Sequence, residues 1–389
     1  MKQILPKIEM LNSVISFSKK CFTKPQFAHF REYLGGLITL HNKTVSGIAT
    51  ASVERQDQSS LNRFLTCSDW DEKHLGDRYL KKVRHEFGRE KALLVIDDSL
   101  SKKTGKHITE VQYHKDHAGD GYVFGHQIVT ALVKVRDKVF PLFPELYSKK
   151  TCSKIQFAKE LVSRAHEKLL LRTVVMDSWY MATEVIKHCL KKRLDVIGCF
   201  KSNRNVSFEI GEWTKLSTHS KTLKKKDFRV TIIDDETYRV HERIVRVKHI
   251  GMVKLLISQE WMNDEKKWSR PFYLISTNTQ QSAVQIIRTY AQRWSIETFH
   301  RDIKQNLGLE AYQLRGRTGI TRHLILVALA YAALKFWTRL KNVAWTIGET
   351  IRHIQGRIFD DLIITLVEEQ NEEKRWLIAE PYIRKTARV

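Results

Sequence analysis

Residues 91–99 read KALLVIDDS, an apolar run that ends in two carboxylates, Asp97 and Asp98. A run of this length is typical of a buried strand whose carboxyl end is polar. Residues 172–180, RTVVMDSWY, repeat the pattern with a single carboxylate, Asp177. Because the sites of open α/β sheets lie at the carboxyl ends of strands, we expect these two strand ends to contribute to one site.

The segments around these two strands predict a mixed α/β sheet with helices on its faces. HQIVTALVKV and KVFPLFPELY, residues 126–135 and 138–147, read as a hairpin. Residues 154–171 and 182–193 carry apolar side chains at helical spacing, and 195–201 form a further apolar strand. The predicted order is therefore strand, strand, strand, helix, strand, helix, strand.

Residues 203–269 interrupt this pattern. Between 228 and 261, β-branched residues alternate with polar ones without a helical stripe, so we interpret the segment as an antiparallel β insertion. The α/β pattern resumes with the strand PFYLIST at 271–277. The apolar run at 324–334 is shorter than the roughly 20 residues that span a bilayer, and it predicts a buried helix instead of a membrane span.

Residues 1–88 are predicted to be helical. A short periodic segment around Val45 and Ile48 is followed by a polar link and by a second segment that Ser59 or Ser60 could cap. Two short helices with a tight link resemble a helix-turn-helix, although most pairs of this length are packing units. Only the positive charge of the chain favours DNA binding by this region.

The composition indicates an ordered, strongly basic protein. The chain has 389 residues, 42% of them hydrophobic, and a formal net charge of +24 with an isoelectric point near 9.8. A charge of this size attracts polyanions such as nucleic acid. The five cysteines are scattered without a C-x-x-C spacing, which indicates an intracellular protein without a disulfide framework or a zinc site.

The helix predicted within 289–310, TYAQRWSIETFHRDIKQNLGLE, has a polar face beside its apolar face. Four polar residues fall within about 60° of one another on a helical wheel: Tyr290, Arg293, Glu297 and Lys304. The simplest reading is a solvated face with salt bridges, since Arg301 follows Glu297 by four residues. The alternative is that Glu297 joins Asp97 and Asp177 in a set of three carboxylates, whose hard oxygen atoms suit Mg²⁺ or Mn²⁺. A pair of such ions supports phosphodiester chemistry.

These residues carry a resemblance to DDE transposases of bacterial and archaeal insertion sequences. The signature Y-(2)-R-(3)-E-(6)-K of that family is matched in identity and spacing by four residues: Tyr290, Arg293, Glu297 and Lys304. The strand ends IDDS and VVMDSWY occupy the positions of the family's two aspartates. The resemblance covers about residues 60–340, and it displaces the solvated-face reading of the helix.

The resemblance implies a ribonuclease H-like mixed sheet core, interrupted by the antiparallel β insertion and preceded by a helical DNA-binding domain. The implied divisions are as follows: 1–88 for the helical domain, 89–202 and 270–345 for the two parts of the core, 203–269 for the insertion, and 346–389 for a C-terminal region.

The resemblance also implies the roles of the site residues. Asp97, Asp177 and Glu297 would be the catalytic residues and hold two divalent cations, Mg²⁺ or alternatively Mn²⁺, while Tyr290, Arg293 and Lys304 would contact DNA. Only one of the adjacent Asp97 and Asp98 can face the metals from a strand. We prefer Asp97, because the family's first aspartate is usually followed two residues later by Thr or Ser, as Ser99 is here.

The implied activity is metal-dependent DNA cleavage at transposon ends, followed by strand transfer to target DNA. A stand-alone ribonuclease H-like nuclease or resolvase and a catalytically silent DNA-binding protein are the alternatives. The implied partner is double-stranded DNA, which a homodimer of the chain would bind, and no membrane is involved. The implied location is the cytoplasm of a prokaryote, at the nucleoid. Trp261 and Trp268 in the insertion could stack on an unpaired base, although aromatic residues in strands are more often core.

Overall fold

The computed structural model of the chain describes residues 11–52, 57–105, 107–115, 121–209 and 211–387. The polar link between the two short N-terminal helices includes residues 53–56, which lie outside the described residues.

Along the described residues a run of helices comes first, the strands follow with a few helices among them, and a second run of helices comes last. The strands are β1 (Ala92–Lys102), β2 (Gln112–Lys115), β3 (Tyr122–Val135), β4 (Lys138–Pro141), β5 (Glu145–Tyr147), β6 (Leu171–Met176), β7 (Asp195–Cys199), β8 (Asn205–Ser207), β9 (Trp213–Lys215), β10 (Arg229–Ile233), β11 (Glu236–Val247), β12 (Gly251–Met262), β13 (Lys267–Trp268) and β14 (Phe272–Ser276). The α-helices are α1 (Asn12–Ile15), α2 (Lys24–Thr39), α3 (Val45–Ala51), α4 (Gln58–Thr66), α5 (Glu72–Phe87), α6 (Lys154–Lys168), α7 (Thr183–Lys191), α8 (Leu216–Thr222), α9 (Ala283–Ala291), α10 (Trp294–Gln305), α11 (Arg317–Leu340), α12 (Ile347–Glu368) and α13 (Glu372–Ala387).

The strands form one mixed sheet in the order β2-β3-β1-β6-β7-β14-β12-β11-β8-β9, with β4 and β5 beside β3, β10 beside β11, and β13 beside β12. β1, β6 and β7 run parallel, whereas β3 is antiparallel to β1. Parallel neighbours need a crossover connection, and α7 supplies it between β6 and β7. The predicted mixed α/β sheet and the predicted hairpin of β3 and β4 are confirmed.

The strands within 203–269 extend this sheet. β11 and β12 form a long antiparallel pair, and β12 pairs in turn with β14. Because β14 also pairs with β7, the inserted strands are continuous with the strands of the core. The antiparallel character predicted for this stretch is confirmed.

β1 is longer than its apolar run. We predicted that the strand ends at Asp97 and Asp98, but it continues to Lys102. Its parallel pairing with β6 does stop near there, at Ile96 opposite Met176, while its pairing with β3 continues. The carboxylates therefore lie where the parallel ladder ends and not where the strand ends.

α11 is the central helix of the molecule. It is 24 residues long, more than twice the apolar run that predicted it, and by length and composition alone it could cross a membrane. However, 89% of its most apolar window is buried inside the protein, as predicted for a core helix. The Arg322 guanidinium donates to the carbonyl oxygens of Ser68 and Trp70, and His323 contacts the hydroxyl of Tyr33. The N-terminal helices therefore pack on α11.

Two details of the predicted helices are wrong. α4 begins at Gln58 after Asp57, so Ser59 and Ser60 lie in its first turn instead of capping it. The helix predicted within 289–310 is broken at Gln292 and Arg293 into α9 and α10. At the break the N–H groups bond three residues back, as Arg293 does to Tyr290, so positions on the two sides do not share one regular helical wheel.

Candidate active site

A single guanidinium joins the strand carboxylates to the helix. Arg293 Nη1 lies 2.9 Å from Asp97 Oδ2 and 3.0 Å from Glu297 Oε1. The side chain of Asp97 is 16% exposed and that of Glu297 is 40% exposed, so the cluster is open on the helix side. The solvated-face alternative paired Glu297 with Arg301, but the structure pairs it with Arg293 at the helix break. Charge-assisted hydrogen bonds of this kind hold both partners in place.

Asp177 lies beside this cluster, in the turn formed by residues 177–180. Its Oδ1 accepts hydrogen bonds from the backbone N–H groups of Trp179 and Tyr180, both at 3.1 Å. Burial raises the pKa of Asp177 above its ordinary value, the two N–H groups lower it, Asp98 raises it, and Arg293 lowers it. The direction of the net effect is upward, because removing a carboxylate from water disfavours its charged form.

Asp97 is the most strongly perturbed carboxyl of the site. Burial raises its pKa to about 7, and the neighbouring Asp177 is the next largest cause. Arg293 and a hydrogen bond from the N–H of Asp98 act in the opposite direction without cancelling this rise. A buried acid with a second acid beside it is the arrangement expected where a cation is to be bound.

Asp98 faces different partners. Tyr180 donates its hydroxyl at 2.9 Å and Lys154 its ammonium group at 3.2 Å to Asp98 Oδ1. Gln127 donates its side-chain amide to Oδ2. Successive strand residues point to opposite faces of a sheet, and the two adjacent acids of β1 accordingly have separate contacts.

Tyr290 and Lys304 lie farther from the carboxylates. The Tyr290 ring centroid is 6.0 Å from the Arg293 guanidinium and 5.5 Å from the ring of Phe272. Lys304 Nζ lies 4.0 Å from Glu310 Oε1. Thus, among the predicted site residues, the structure brings Asp97, Asp177, Arg293 and Glu297 together with Tyr290 at their edge, and it places Lys304 with a different partner.

His300 is a residue of the site that the sequence did not reveal. Its Nε2 lies 2.7 Å from Thr130 Oγ1, and that hydroxyl donates to the carbonyl oxygen of Asp97 at 3.1 Å. Burial lowers the pKa of His300 to about 3, which keeps the ring neutral. Its position three residues after Glu297 is the only sequence signal.

The donor atoms fit a divalent cation in chemical type. Carboxylate oxygens are the ligands that Mg²⁺ and Mn²⁺ prefer. The pKa of Asp97 is raised first by burial and then by the charge of Asp177, and a cation would offset that second cause. Across the described residues, no three His, Cys, Asp or Glu side chains converge as a metal-binding group. In this arrangement the Arg293 guanidinium stands between Asp97 and Glu297 and bonds both.

The two tryptophans of the insertion contact each other. The rings of Trp261 and Trp268 meet edge to face at 5.2 Å, and the Arg239 guanidinium lies 4.9 Å from the centre of the Trp268 ring. Both side chains are partly exposed. The cluster therefore has packing partners of its own, and the stacking role stays a prediction.

Comparison with known proteins relates this arrangement to a family. Residues 88–333 match the family described as "Transposase DDE domain", and residues 19–123 match the one described as "DDE superfamily endonuclease". A protein of Sinorhizobium fredii (strain NBRC 101917 / NGR234), named "Putative transposase y4zB", is 27% identical over 142 residues, which are 36% of this chain and 35% of that protein. The match thus spans about a third of that relative's length.

Solved structures share the fold. The cryo-EM structure of the piggyBac transposase synaptic complex with hairpin DNA aligns with a TM-score of 0.50 at 11% identity, covering 98% of this chain and 81% of that chain. A Drosophila P element transposase strand transfer complex aligns with a TM-score of 0.25 at 9% identity, over 97% of this chain and 99% of that one, which is too low to carry an argument. The first likeness confirms the predicted ribonuclease H-like mixed sheet.

Proposed function

The chain belongs to the transposase DDE domain family, and from this premise we propose that it cleaves DNA at the ends of a mobile element and joins the freed 3′ hydroxyl to target DNA. The observation that carries the proposal is the meeting of Asp97 and Glu297 at Arg293, with Asp177 beside them. Acids from two adjacent strands and one helix come together at the end of a parallel ladder, as binding sites in such sheets do.

Asp97, Asp177 and Glu297 are the catalytic residues in this proposal, and they hold two divalent cations, Mg²⁺ or alternatively Mn²⁺. When bound, such a pair of ions would activate water or a 3′ hydroxyl and stabilise the leaving oxygen. Asp97 is assigned in preference to Asp98, because Asp98 already accepts hydrogen bonds from Tyr180, Lys154 and Gln127.

The cationic residues around the carboxylates act on DNA. Arg293 and Lys304 neutralise phosphates near the scissile bond, and Tyr290 contacts the backbone beside them. Such contacts position DNA without reading its sequence. The formal charge of +24 supports binding to double-stranded DNA, since phosphate contacts supply most of the affinity.

The remaining segments bind the ends of the element. We assign this role to the helices of 1–88, which precede the core, and to the insertion at 203–269, which separates its two parts, 89–202 and 270–345. The 346–389 region follows that core. Joining two ends requires two active sites, so the chain acts on DNA as a homodimer, in the cytoplasm of a prokaryote at the nucleoid.

A cleavage assay with matched variants tests the proposal. The substrate is a labelled duplex from either end of the element that encodes the chain, and the variants are Asp97→Asn, Asp177→Asn and Glu297→Gln. We expect each to lose cleavage and strand joining while binding of the same duplex in a gel-shift assay stays within about twofold of wild type. Full cleavage by Glu297→Gln would overturn the assignment, and cleavage without joining by wild type would indicate a nuclease.

A further inference from the structure

Asp98 binds donors from three separate parts of the fold. Its hydrogen-bond donors are Gln127 on β3, Lys154 at the start of α6, and Tyr180 after β6. The carboxylate is 16% exposed and the Lys154 side chain 11%, so these contacts are largely shielded from water. A shielded carboxylate with three donors holds the donor elements in a fixed relation, because losing any one bond would leave a polar group unsatisfied.

Tyr180 is shared between two acids. Its hydroxyl donates to Asp98 at 2.9 Å, and its backbone N–H donates to Asp177 at 3.1 Å. The ring is fully buried. Burial, followed by the charge of Asp98, raises the pKa of the Tyr180 hydroxyl well above its ordinary value, so the hydroxyl remains a donor. One tyrosine thus connects the strand of Asp97 to the turn of Asp177.

This connection joins β1 and the turn of Asp177 beyond the point where the backbone pairing of β1 with β6 ends. The last paired residues of the parallel ladder are Ile96 and Met176, and both catalytic aspartates follow them in sequence. The backbone pairing of β1 with β6 therefore fixes the two strands only up to the residue before each acid. The side chains of Asp98 and Tyr180 continue the linkage past that point.

Lys154 also contacts the turn of Asp177, through the ring of Trp179. Its ammonium group bonds Asp98 at 3.2 Å and lies 4.1 Å from the centre of the Trp179 ring. Trp179 in turn donates its backbone N–H to Asp177. Both residues that hold the Asp177 carboxylate by their N–H groups are thus held by the cluster around Asp98.

We propose that Asp98 is a positioning residue that fixes, through Tyr180, the turn of Asp177 relative to Asp97. It does not itself bind the metal ions. This inference rests on the proposed function, because it takes Asp97 and Asp177 as the residues that share a divalent cation. The family signature assigns no role to Asp98 or Tyr180.

Tyr180→Phe tests the proposal with a minimal change, since it removes one hydroxyl and leaves the ring in place. The first measurement is the affinity of the metal-free, DNA-free protein for Mn²⁺ alone, determined by isothermal titration calorimetry. The second is the Mn²⁺ concentration that gives half-maximal cleavage. Partners that orient metal ligands typically contribute about 10-fold to 100-fold in metal affinity. We therefore expect Tyr180→Phe to weaken Mn²⁺ binding by about 10-fold, with the cleavage rate largely restored at saturating Mn²⁺.

Tyr79→Phe is the matched control. Its hydroxyl is also buried and also makes one hydrogen bond, to the carbonyl oxygen of Pro141 at 2.8 Å. Both variants should lose similar stability, but the control should bind Mn²⁺ as wild type does. Asp98→Asn should weaken Mn²⁺ binding less than Asp97→Asn does. Combining it with Tyr180→Phe should add little, because both changes weaken or remove the same hydrogen bond between residues 98 and 180.

The outcomes separate this proposal from the proposed function. An Mn²⁺ affinity of Tyr180→Phe within twofold of the control would overturn the positioning role, as would an Asp98→Asn variant that loses Mn²⁺ as completely as Asp97→Asn. Absence of saturable Mn²⁺ binding by wild type, with or without DNA, would also overturn it. A wild-type protein that binds Mn²⁺ without cutting DNA would contradict the proposed function instead, and the affinity comparison would still decide the role of Tyr180.

Discussion

Replacing Asp97 with asparagine should stabilise the metal-free protein while abolishing its activity. Burial first, and then the charge of Asp177, raises the pKa of Asp97 from its ordinary value of 3.8 to about 7. The folded protein therefore holds a proton on this group over a pH range in which the unfolded chain has released it. Asparagine keeps the shape of the side chain and removes the charge.

The sign of the effect follows from proton linkage. Between about pH 4 and pH 7 the folded state binds more protons than the unfolded state, so stability falls as the pH rises through this window. One pKa unit corresponds to about 1.4 kcal/mol. The stability that wild type loses by ionising Asp97 in the folded state therefore approaches about 4 kcal/mol above pH 7 and vanishes below pH 4. The pKa of about 7 already includes the charge of Arg293. Asparagine, however, replaces one carboxyl oxygen with an amide group that cannot accept a hydrogen bond from Arg293, so we expect a smaller net gain of about 1 to 3 kcal/mol for Asp97→Asn near pH 8.

Urea denaturation in the presence of a chelator measures this effect. The stability difference between Asp97→Asn and wild type should fall by about 3 kcal/mol between pH 8 and pH 5, to zero or below, because two pH units of the window are crossed. Asp98→Asn is the control from the neighbouring position. It loses the negative charge that accepts the hydrogen bonds of Lys154 and Tyr180 and should destabilise the protein by at least about 1 kcal/mol. An Asp97→Asn variant that is less stable than wild type at pH 8, or shifted equally at both pH values, would refute the reasoning.

Three further outcomes are expected. Adding Mg²⁺ or Mn²⁺ should raise the melting temperature of wild type but not of Glu297→Gln, and equal shifts in a thermal scan would argue against a role for Glu297 in metal binding. Arg293→Ala and Lys304→Ala should each lower the slope of log affinity against log salt for end DNA by about one. Unchanged slopes would indicate that both residues only form salt bridges, which contribute about 1 kcal/mol or less to stability. Replacing 203–269 with a short linker should leave a folded core that cuts without end specificity, as circular dichroism and cleavage of end and random duplexes would show.

The strands of the core were predictable because burial is visible in a sequence. β1 and β6 lie between other strands with helices on the faces of the sheet, and such strands need continuous apolar runs. The continuation of β1 was not predictable, because it carries no such apolar run. Beyond Asp98 it reads Ser99, Leu100, Ser101 and Lys102, and its pairing there is with β3. Backbone pairing of this kind leaves no apolar signature.

The helix break shows a second limit of sequence reasoning. Gln292 and Arg293 include neither glycine nor proline, the residues that usually mark a break. In the structure Arg293 instead reaches Asp97, nearly two hundred positions earlier in the chain. A contact between segments so distant has no local signature. The regular helical wheel nevertheless grouped Arg293 with Glu297 correctly, because the two residues are four positions apart.

Charge balance explains why a cation is expected at these acids. Lys154 offsets the charge of Asp98, and Arg293 is shared by Asp97 and Glu297. Asp177 is held chiefly by the backbone N–H groups of its own turn. Above about pH 7, where Asp97 is ionised, one guanidinium cannot neutralise three carboxylates, so the cluster keeps a negative charge within a chain whose formal net charge is +24. Such a cluster attracts divalent cations, while the positive charge of the rest of the chain attracts the DNA that they act on.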